Sequence, residues 1–269
     1  MSEKQNLSKR NFAFLQNKYD LSDEDLFFLN KITGWADNSR QNYVKKYTGF
    51  LDESRQILCK EVLDSVCCKN FCFFGGFENS TRKMLCVHSD FDVISDEDFP
   101  IECLQFCFRR CDELSHRDFL GSLMALGITR ESVGDILISE GKAQVFLTKT
   151  AAAAARNSIR KIGRIGVKIS ENADEIIVSE PEFTEISGTV SSLRLDCVLS
   201  FAAKISREKA AEEIKSGRVM VNHFVRTNIS ENLNENDEFS ARGKGKFILK
   251  KVGNMTKKGK LHINVLKYI

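Results

Sequence analysis

The sequence predicts an α+β protein of three modules, and three observations carry the prediction. Residues 98–182 show strand and helix signals in the order βαββαβ. The stretch before them carries helix caps and helical periodicity, and the stretch after them reads as two short helices followed by strands with tight turns. A chain of 269 residues is long for one domain and comfortable for two or three. Its two prolines, Pro100 and Pro181, sit beside the acidic polar stretches SDFDVISDEDFP and SENADEIIVSEPE. Proline disfavours helix in the residue before it, so these positions mark junctions, and the modules are drawn as 1–95, 96–182 and 183–269.

The first module reads as mainly helical with a small hairpin. Ser22 precedes DEDLFFLNKI, an N-cap followed by acids that suit a helix start. A second helix is expected over Asp52–Val66, with Ile57, Leu58, Glu61, Val62 and Ser65 at helical spacing. Phe71–Phe74, Gly75-Gly76 and Met84–His88 then read as strand, turn and strand. The Gly-Gly pair lacks a following Lys-Ser/Thr, so it reads as turn chemistry and not as a phosphate loop.

In the second module the order is a strand over Ile101–Phe108, a helix over Ser115–Leu126 closed by Gly127, and strands over Asp135–Ser139 and Ala143–Leu147. A helix over Thr150–Ile162 follows, driven by five consecutive alanines and ended by Gly163, and then a strand over Ile165–Ile169. This is the ferredoxin-like arrangement that RNA-recognition modules also use. Phe106, Phe108 and Phe146 serve equally as a base-stacking platform or as core. Arg156, Arg160 and Arg164 recur every four residues, which on a continuous helix makes one basic stripe. That stripe reads either as a solvated face or as a nucleic-acid contact. His116-Arg117-Asp118 reads as a cap or surface network, because neighbouring helical residues point in different directions.

Charge singles out the third module. From Val190 to Ile269 there are 16 Lys and Arg against 8 Asp and Glu, while the rest of the chain has 24 against 29. The whole-chain balance of +3 therefore hides a basic module on an acidic body. Leu195, Val198, Leu199 and Ala202 mark the buried face of one helix. Ser206 caps a second, stopped by Gly217. Arg207 lies in the first turn of that helix, where a cation opposes the dipole, and a phosphate held there would give the placement a reason. Val219 and Val221 alternate with outward Arg218 and Asn222, and Asn222-His223 makes a turn that asks for positive φ. The run Arg242-Gly243-Lys244-Gly245-Lys246 packs three cations and two glycines into five residues. That composition suits close approach to a phosphate backbone, with a solvated basic turn as the alternative. With Arg194 and Arg226 in the same module, RNA contact is the favoured reading.

At these residues the resemblance becomes specific. The run R-L-D-x-x-L, then S-R-x-x-A-x-x-x-I-x-x-G-x-V-x-V-N, then D and R-G, resembles the S-four RNA-binding domain, an αL-type fold in which a helix pair packs on a small sheet. It is carried by Arg194, Leu195, Asp196, Leu199, Ser206, Arg207, Ala210, Ile214, Gly217, Val219, Val221, Asn222, Asp237, Arg242 and Gly243. His223 departs from the family, which usually has Gly after Asn. The resemblance implies RNA-facing roles for Arg194, Ser206, Arg207, Arg218, Asn222 and Arg242. The stretches SHRDFLGSLMALGITRESVGDILISEGKAQVFL, IRKIGRIGVKI and WADNSRQNYVKKYTGFLDESRQ resemble the YlmH-type bacterial proteins. Those proteins join a helical N-terminal region, an RRM-like domain and a C-terminal S-four domain. That second resemblance implies binding to rRNA of the large ribosomal subunit and to tRNA. The role it implies is ribosome-associated quality control, retaining peptidyl-tRNA on stalled large subunits and supporting C-terminal alanine tailing.

Other classes are read against this one. No apolar stretch approaches the roughly 18 residues that span a bilayer, and MSEKQNLSKRNF has neither an apolar run nor a cleavage site, so a cytoplasmic location is expected. Eight of nine cysteines fall between Cys59 and Cys111 without paired C-x-x-C knuckles, which favours core packing over a metal site. No cofactor is expected, and a monomer is. An RNA-modifying enzyme, or its RNA-targeting subunit, is the alternative, since S-four domains accompany such enzymes. It lacks support in a Rossmann glycine loop or a separate catalytic R-L-D.

Overall fold

The computed structural model describes residues 12–170, 175–177 and 182–269. Pro181 and most of the acidic stretch before it lie outside the described residues. Contacts divide the described chain into two compact units: residues 23–179, and residues 180–269 together with Phe12–Ser22. The fold is α+β throughout.

Helix α1 (Ala13–Lys18) belongs to the second unit. The first unit opens with α2 (Asp23–Asn42), whose first turn holds Asp23, Glu24 and Asp25. Strand β1 (Lys46–Leu51) follows. Helix α3 (Glu53–Ser65) starts where the Asp52 carboxylate accepts from the Arg55 N–H at 3.0 Å. Strands β2 (Phe71–Phe74) and β3 (Lys83–Val87) complete an antiparallel sheet in the order β1-β3-β2. Sequence patterning predicts α3, β2 and β3 but passes over β1, whose KYTGFL lacks a clean alternation. The Gly75-Gly76 turn is crowded. A Cβ on Gly76, which has φ +105°, would stand 2.3 Å from the Phe146 ring.

The expected βαββαβ order is present as β4 (Ile101–Cys107), α4 (His116–Ala125), β5 (Val133–Ser139), β6 (Lys142–Thr148), α5 (Lys149–Ser158) and β9 (Lys168–Ser170). A two-stranded hairpin, β7 (Lys161–Ile162) and β8 (Ile165–Gly166), is inserted before β9. β4, β5, β6 and the short β9 form one antiparallel sheet in the order β5-β6-β4-β9. Ser115 caps α4, accepting from the Asp118 N–H while its own N–H and hydroxyl bond the Asp118 carboxylate at 2.9 and 2.6 Å. Asp118 is thus a capping residue, and it is not aimed at His116.

The helix expected over Thr150–Ile162 ends at Ser158 instead. Ile159 turns extended, and its side chain is buried in the core beside Ile162 and Val167. Burial of these three apolar residues wins over continuation of the alanine helix. The Arg156, Arg160 and Arg164 stripe is therefore not formed. Arg156 pairs with Glu102, while Arg160 donates to the carbonyls of Arg156 and Ile159, closing the helix C-terminus. Gly163, expected to end the helix, has φ +56° in the turn of the β7–β8 hairpin.

Both faces of the four-stranded sheet are covered over their central part, and Cys107, Ser139 and Lys168 at one end of the second face are exposed. On one, Leu104, Phe106, Val145 and Leu147 pack on Phe119 and Leu123 of α4 and on the alanines of α5. On the other, Phe146 packs with Phe50, Met84, Cys86 and Phe99, with Ile101, Cys103 and Leu137 alongside. The two sheets thus meet face to face, and the rings of Phe77 and Phe146 lie 4.8 Å apart. Further along that face, Gln144 donates to Gln105 and to the Glu175 carbonyl and accepts from the Ile177 N–H. Phe106 and Phe146 are 0% and 1% exposed, and Phe108 is half-buried, so the aromatic residues weighed as a platform are core.

The second unit runs β10 (Phe183–Val190), α6 (Leu195–Ala202), α7 (Arg207–Lys215), β11 (Val219–Val221), β12 (Phe224–Val225), β13 (Glu238–Ala241), β14 (Gly245–Met255) and β15 (Leu261–Tyr268). All strands join one antiparallel sheet, β10-β15-β14-β13-β11-β12. The predicted stripe of Leu195, Val198, Leu199 and Ala202 is buried, with Ala210 and Ile214 of α7, against Val219, Val221, Phe239, Phe247, Leu249, Ile263 and Val265. Tyr19 stacks on Phe224 with ring centroids 3.9 Å apart, which ties α1 to the same unit.

Candidate nucleic-acid interface

The basic unit gathers its cations into clusters around carboxylates. At the start of α7, Asp196 is 4% exposed and takes bonds from Arg194 Nε at 3.0 Å, Arg194 Nη2 at 3.3 Å and Arg207 Nε at 2.9 Å. Burial alone would push its carboxyl up, but the hydrogen bonds and charges of the two arginines outweigh burial and hold it below the usual carboxylate range. One buried anion thus orients two partly exposed guanidinium groups, and the three groups together keep one net positive charge. Arg207 sits against the helix dipole because Asp196 holds it there, a reason that sequence alone does not supply. Ser206 is used as the cap of α7, accepting from the Lys209 N–H at 3.2 Å.

At the other end of α7, Arg218 Nε bonds Glu213 at 2.6 Å, and that bond, against a weaker push from burial, lowers the Glu213 carboxyl. The Arg242 N–H donates to the Arg218 carbonyl at 3.1 Å, so the Arg242–Lys246 turn abuts this pair. The Arg242 side chain makes no hydrogen bond or ion pair among the described residues, and Lys244 is within electrostatic reach of Glu213. Lys246 is held by Glu238 at 2.8 Å and lies over the Tyr268 ring.

Two of the predicted residues carry structural duties. Asn222, at φ +48°, donates to Asp237 at 2.8 Å and accepts from the Glu238 N–H at 3.0 Å, bracing the turn into the sheet. Arg226 is mostly covered. It pairs with Glu231 at 3.2 Å and donates to the Lys18 carbonyl. Arg156 and Arg160 lie in the other unit, tied as described above.

Sequence reading passed over a second basic turn. Lys257, Lys258 and Lys260 surround Gly259 between β14 and β15, all exposed, with Lys250 and Lys251 exposed on β14. The signal was present as TKKGK, the same cation–glycine pattern as RGKGK. The two turns cap opposite ends of β14, roughly 30 Å apart.

Among the described residues no cluster of His, Cys, Asp and Glu could hold a metal, and no helix is long and apolar enough to cross a membrane. Cys59, Cys68, Cys86 and Cys197 are buried, while Cys67, Cys107 and Cys111 are exposed.

The chain joins a ferredoxin-like domain to a basic α+β unit, an architecture of the class that suits RNA binding. Residues 95–175 match the family described as "Putative RNA-binding domain in YlmH". The chain is 30% identical over 195 residues to the Ribosome-associated protein quality control protein P2 of Bacillus subtilis (strain 168), across 71% of this chain and 75% of that one. The chain belongs to the YlmH family. A solved structure, the Cell division protein ylmH from Streptococcus pneumoniae, is similar at 27% identity and a TM-score of 0.49, over 57% of this chain and 93% of that one.

Proposed function

We propose that this chain is a non-catalytic, cytoplasmic RNA-binding factor that acts on the large ribosomal subunit in quality control. It contacts rRNA and tRNA, stabilises peptidyl-tRNA on stalled subunits and supports alanine tailing. Its working end is the C-terminal unit, read as an S-four-type domain, with Arg194, Arg207, Arg218, Arg242, Lys244 and Lys246 facing phosphates. The observation that carries the reading is the family relationship to a protein named for ribosome-associated quality control. The Asp196-oriented arginine pair and the Arg242–Lys246 turn support it, because phosphate contacts position a protein on RNA.

Arg242→Glu with Lys244→Glu is the cleanest test, since neither side chain is an ion-pair partner of another residue. Arg207→Glu would instead set a second carboxylate beside Asp196. The double variant is expected to release the protein from large subunits in co-sedimentation at moderate salt. Wild-type binding should weaken steeply as salt rises, because each phosphate contact releases counterions. Unchanged co-sedimentation of the double variant would overturn the reading.

A further inference from the structure

We propose that the β7–β8 hairpin is a second RNA-binding element, which grips the phosphate backbone of double-helical RNA; this rests on the RNA-binding reading above and extends it to the other unit. In the domain that matches an RNA-binding family both sheet faces are covered over their central part, and the exposed end of the second face, at Cys107, Ser139 and Lys168, carries no aromatic residue. One face is covered by α4 and α5 and the other by the β1-β3-β2 sheet and residues 175–177. The aromatic-platform mode of RNA recognition is closed to it. A surface for RNA on this domain lies elsewhere.

The hairpin has the chemistry for that surface. From Lys149 to Ser170 there is no acidic residue, and Arg160, Lys161, Arg164 and Lys168 are all exposed. Lys161, Arg164 and Lys168 have no side-chain hydrogen bond or ion pair among the described residues, whereas Arg194, Arg207, Arg218 and Arg226 of the C-terminal unit are each tied to a carboxylate. Lys161 and Arg164 of the hairpin, with Lys168 of the adjoining β9, are thus unpaired, while the Asp118 carboxylate of α4 stands beside the turn, 3.9 Å from where a Cβ on Gly163 would lie. The element is also held in place. Ile162 and Val167 are buried in the core, Val167 N–H donates to the Arg160 carbonyl at 3.0 Å, and the Gly163 N–H donates to the Ser122 hydroxyl of α4 at 3.2 Å. A fixed array of cations loses less entropy on binding than a mobile one.

Two glycines add an independent pointer. Gly166 is outside the left-handed region, and a Cβ placed on it would meet nothing within 4 Å, so neither conformation nor packing requires glycine there. Gly121 is equally open, although glycine inside a helix destabilises relative to alanine. It adjoins Ser122, which holds the hairpin turn, and it stands one turn from the exposed Arg117 on the same helix face. Bare backbone beside unpaired cations suits close approach of a sugar–phosphate chain. No aromatic side chain lies between Ser158 and Ser170, so the hairpin offers no base-stacking surface. That selects paired RNA, read by its phosphates.

The test uses the full chain and a synthetic RNA duplex of about 16 base pairs, titrated by fluorescence anisotropy at several salt concentrations. Lys161→Glu, Arg164→Glu and Lys168→Glu together are expected to weaken binding by at least about tenfold and to make the log–log salt slope shallower by about two to three. Gly166→Ala, whose Cβ meets nothing within 4 Å, is expected to weaken binding severalfold with unchanged thermal unfolding. The Arg242→Glu, Lys244→Glu variant runs beside them. If that variant loses duplex binding while both hairpin variants bind as wild type, RNA is held by the C-terminal unit alone and the hairpin proposal is overturned with the functional reading intact. Wild-type protein that binds ribosomal subunits but not the duplex overturns it equally.

Discussion

Asp196 shows how a single carboxylate organises the basic unit. It is nearly fully buried, yet it is kept ionised by Arg194 and Arg207. A carboxyl whose folded pKa lies below its unfolded value adds stability that is fully present above the unfolded value, near about 4, and is lost as pH falls through the folded one. Asp196→Asn preserves the shape and removes the charge. It is expected to cost about 1–2 kcal/mol at neutral pH, towards the lower end for charge-assisted bonds because Arg207 is half exposed. It should also flatten the acid limb of the stability curve below about pH 4. Chemical denaturation across that pH range reads both effects, and an unaltered acid limb would show that the arginine pair contributes no ionised-state stability. RNA affinity should fall as well, because the two guanidinium groups lose their common anchor. Asp196 was legible as a member of the R-L-D motif, but its partners were not, since Arg207 lies eleven positions away on another helix.

At the scale of elements, periodicity located most of the helices and strands, and the caps Ser115 and Ser206 located two helix starts, whereas Asp52 and Thr148 were not read as caps. Asp52, Ser115, Thr148 and Ser206 all accept a backbone N–H at a helix start. What the pattern could not weigh is tertiary burial. The alanine run favours helix wherever it reaches, but Ile159, Ile162 and Val167 have a core to enter, and that decides the end of α5. β1, which lacks a clean alternation, and the two-residue β12 escape because a neighbouring strand and not their own sequence defines them. The Asn222-His223 turn was legible from the need for positive φ. Both residues have it, at +48° and +72°, and the second is costly for histidine. His223→Gly should therefore stabilise the second unit by about 0.5–1 kcal/mol after the entropy of glycine in the unfolded chain is set against the relieved strain. Differential scanning calorimetry would read this as a higher Tm. A lower Tm would mean that the ring's contact with Glu238, 3.8 Å from Nδ1, outweighs the backbone strain.

For the whole molecule, the sequence order of elements revealed the βαββαβ domain, but order says nothing of what covers a sheet. Phe146 reads in sequence as equally suited to stacking on a base or filling a core, and only the partner sheet resolves the choice. Phe50, Met84 and Phe99 close over it. The first unit has thus spent on internal packing the face that would otherwise bind nucleotides. The proposed RNA surfaces are accordingly charged turns and hairpins and not an aromatic sheet face. Phe146→Ala separates the two roles. As a core residue it should cost about 3–5 kcal/mol, through lost burial plus the cavity left between the sheets. At a temperature where the variant remains folded, its affinity for RNA should equal that of the wild type. A stacking residue would behave oppositely, with near-normal stability and an affinity lower by about 1–3 kcal/mol. Unfolding curves paired with anisotropy titrations of the same samples distinguish the two, and a loss of affinity in fully folded protein would reopen the sheet as an RNA surface.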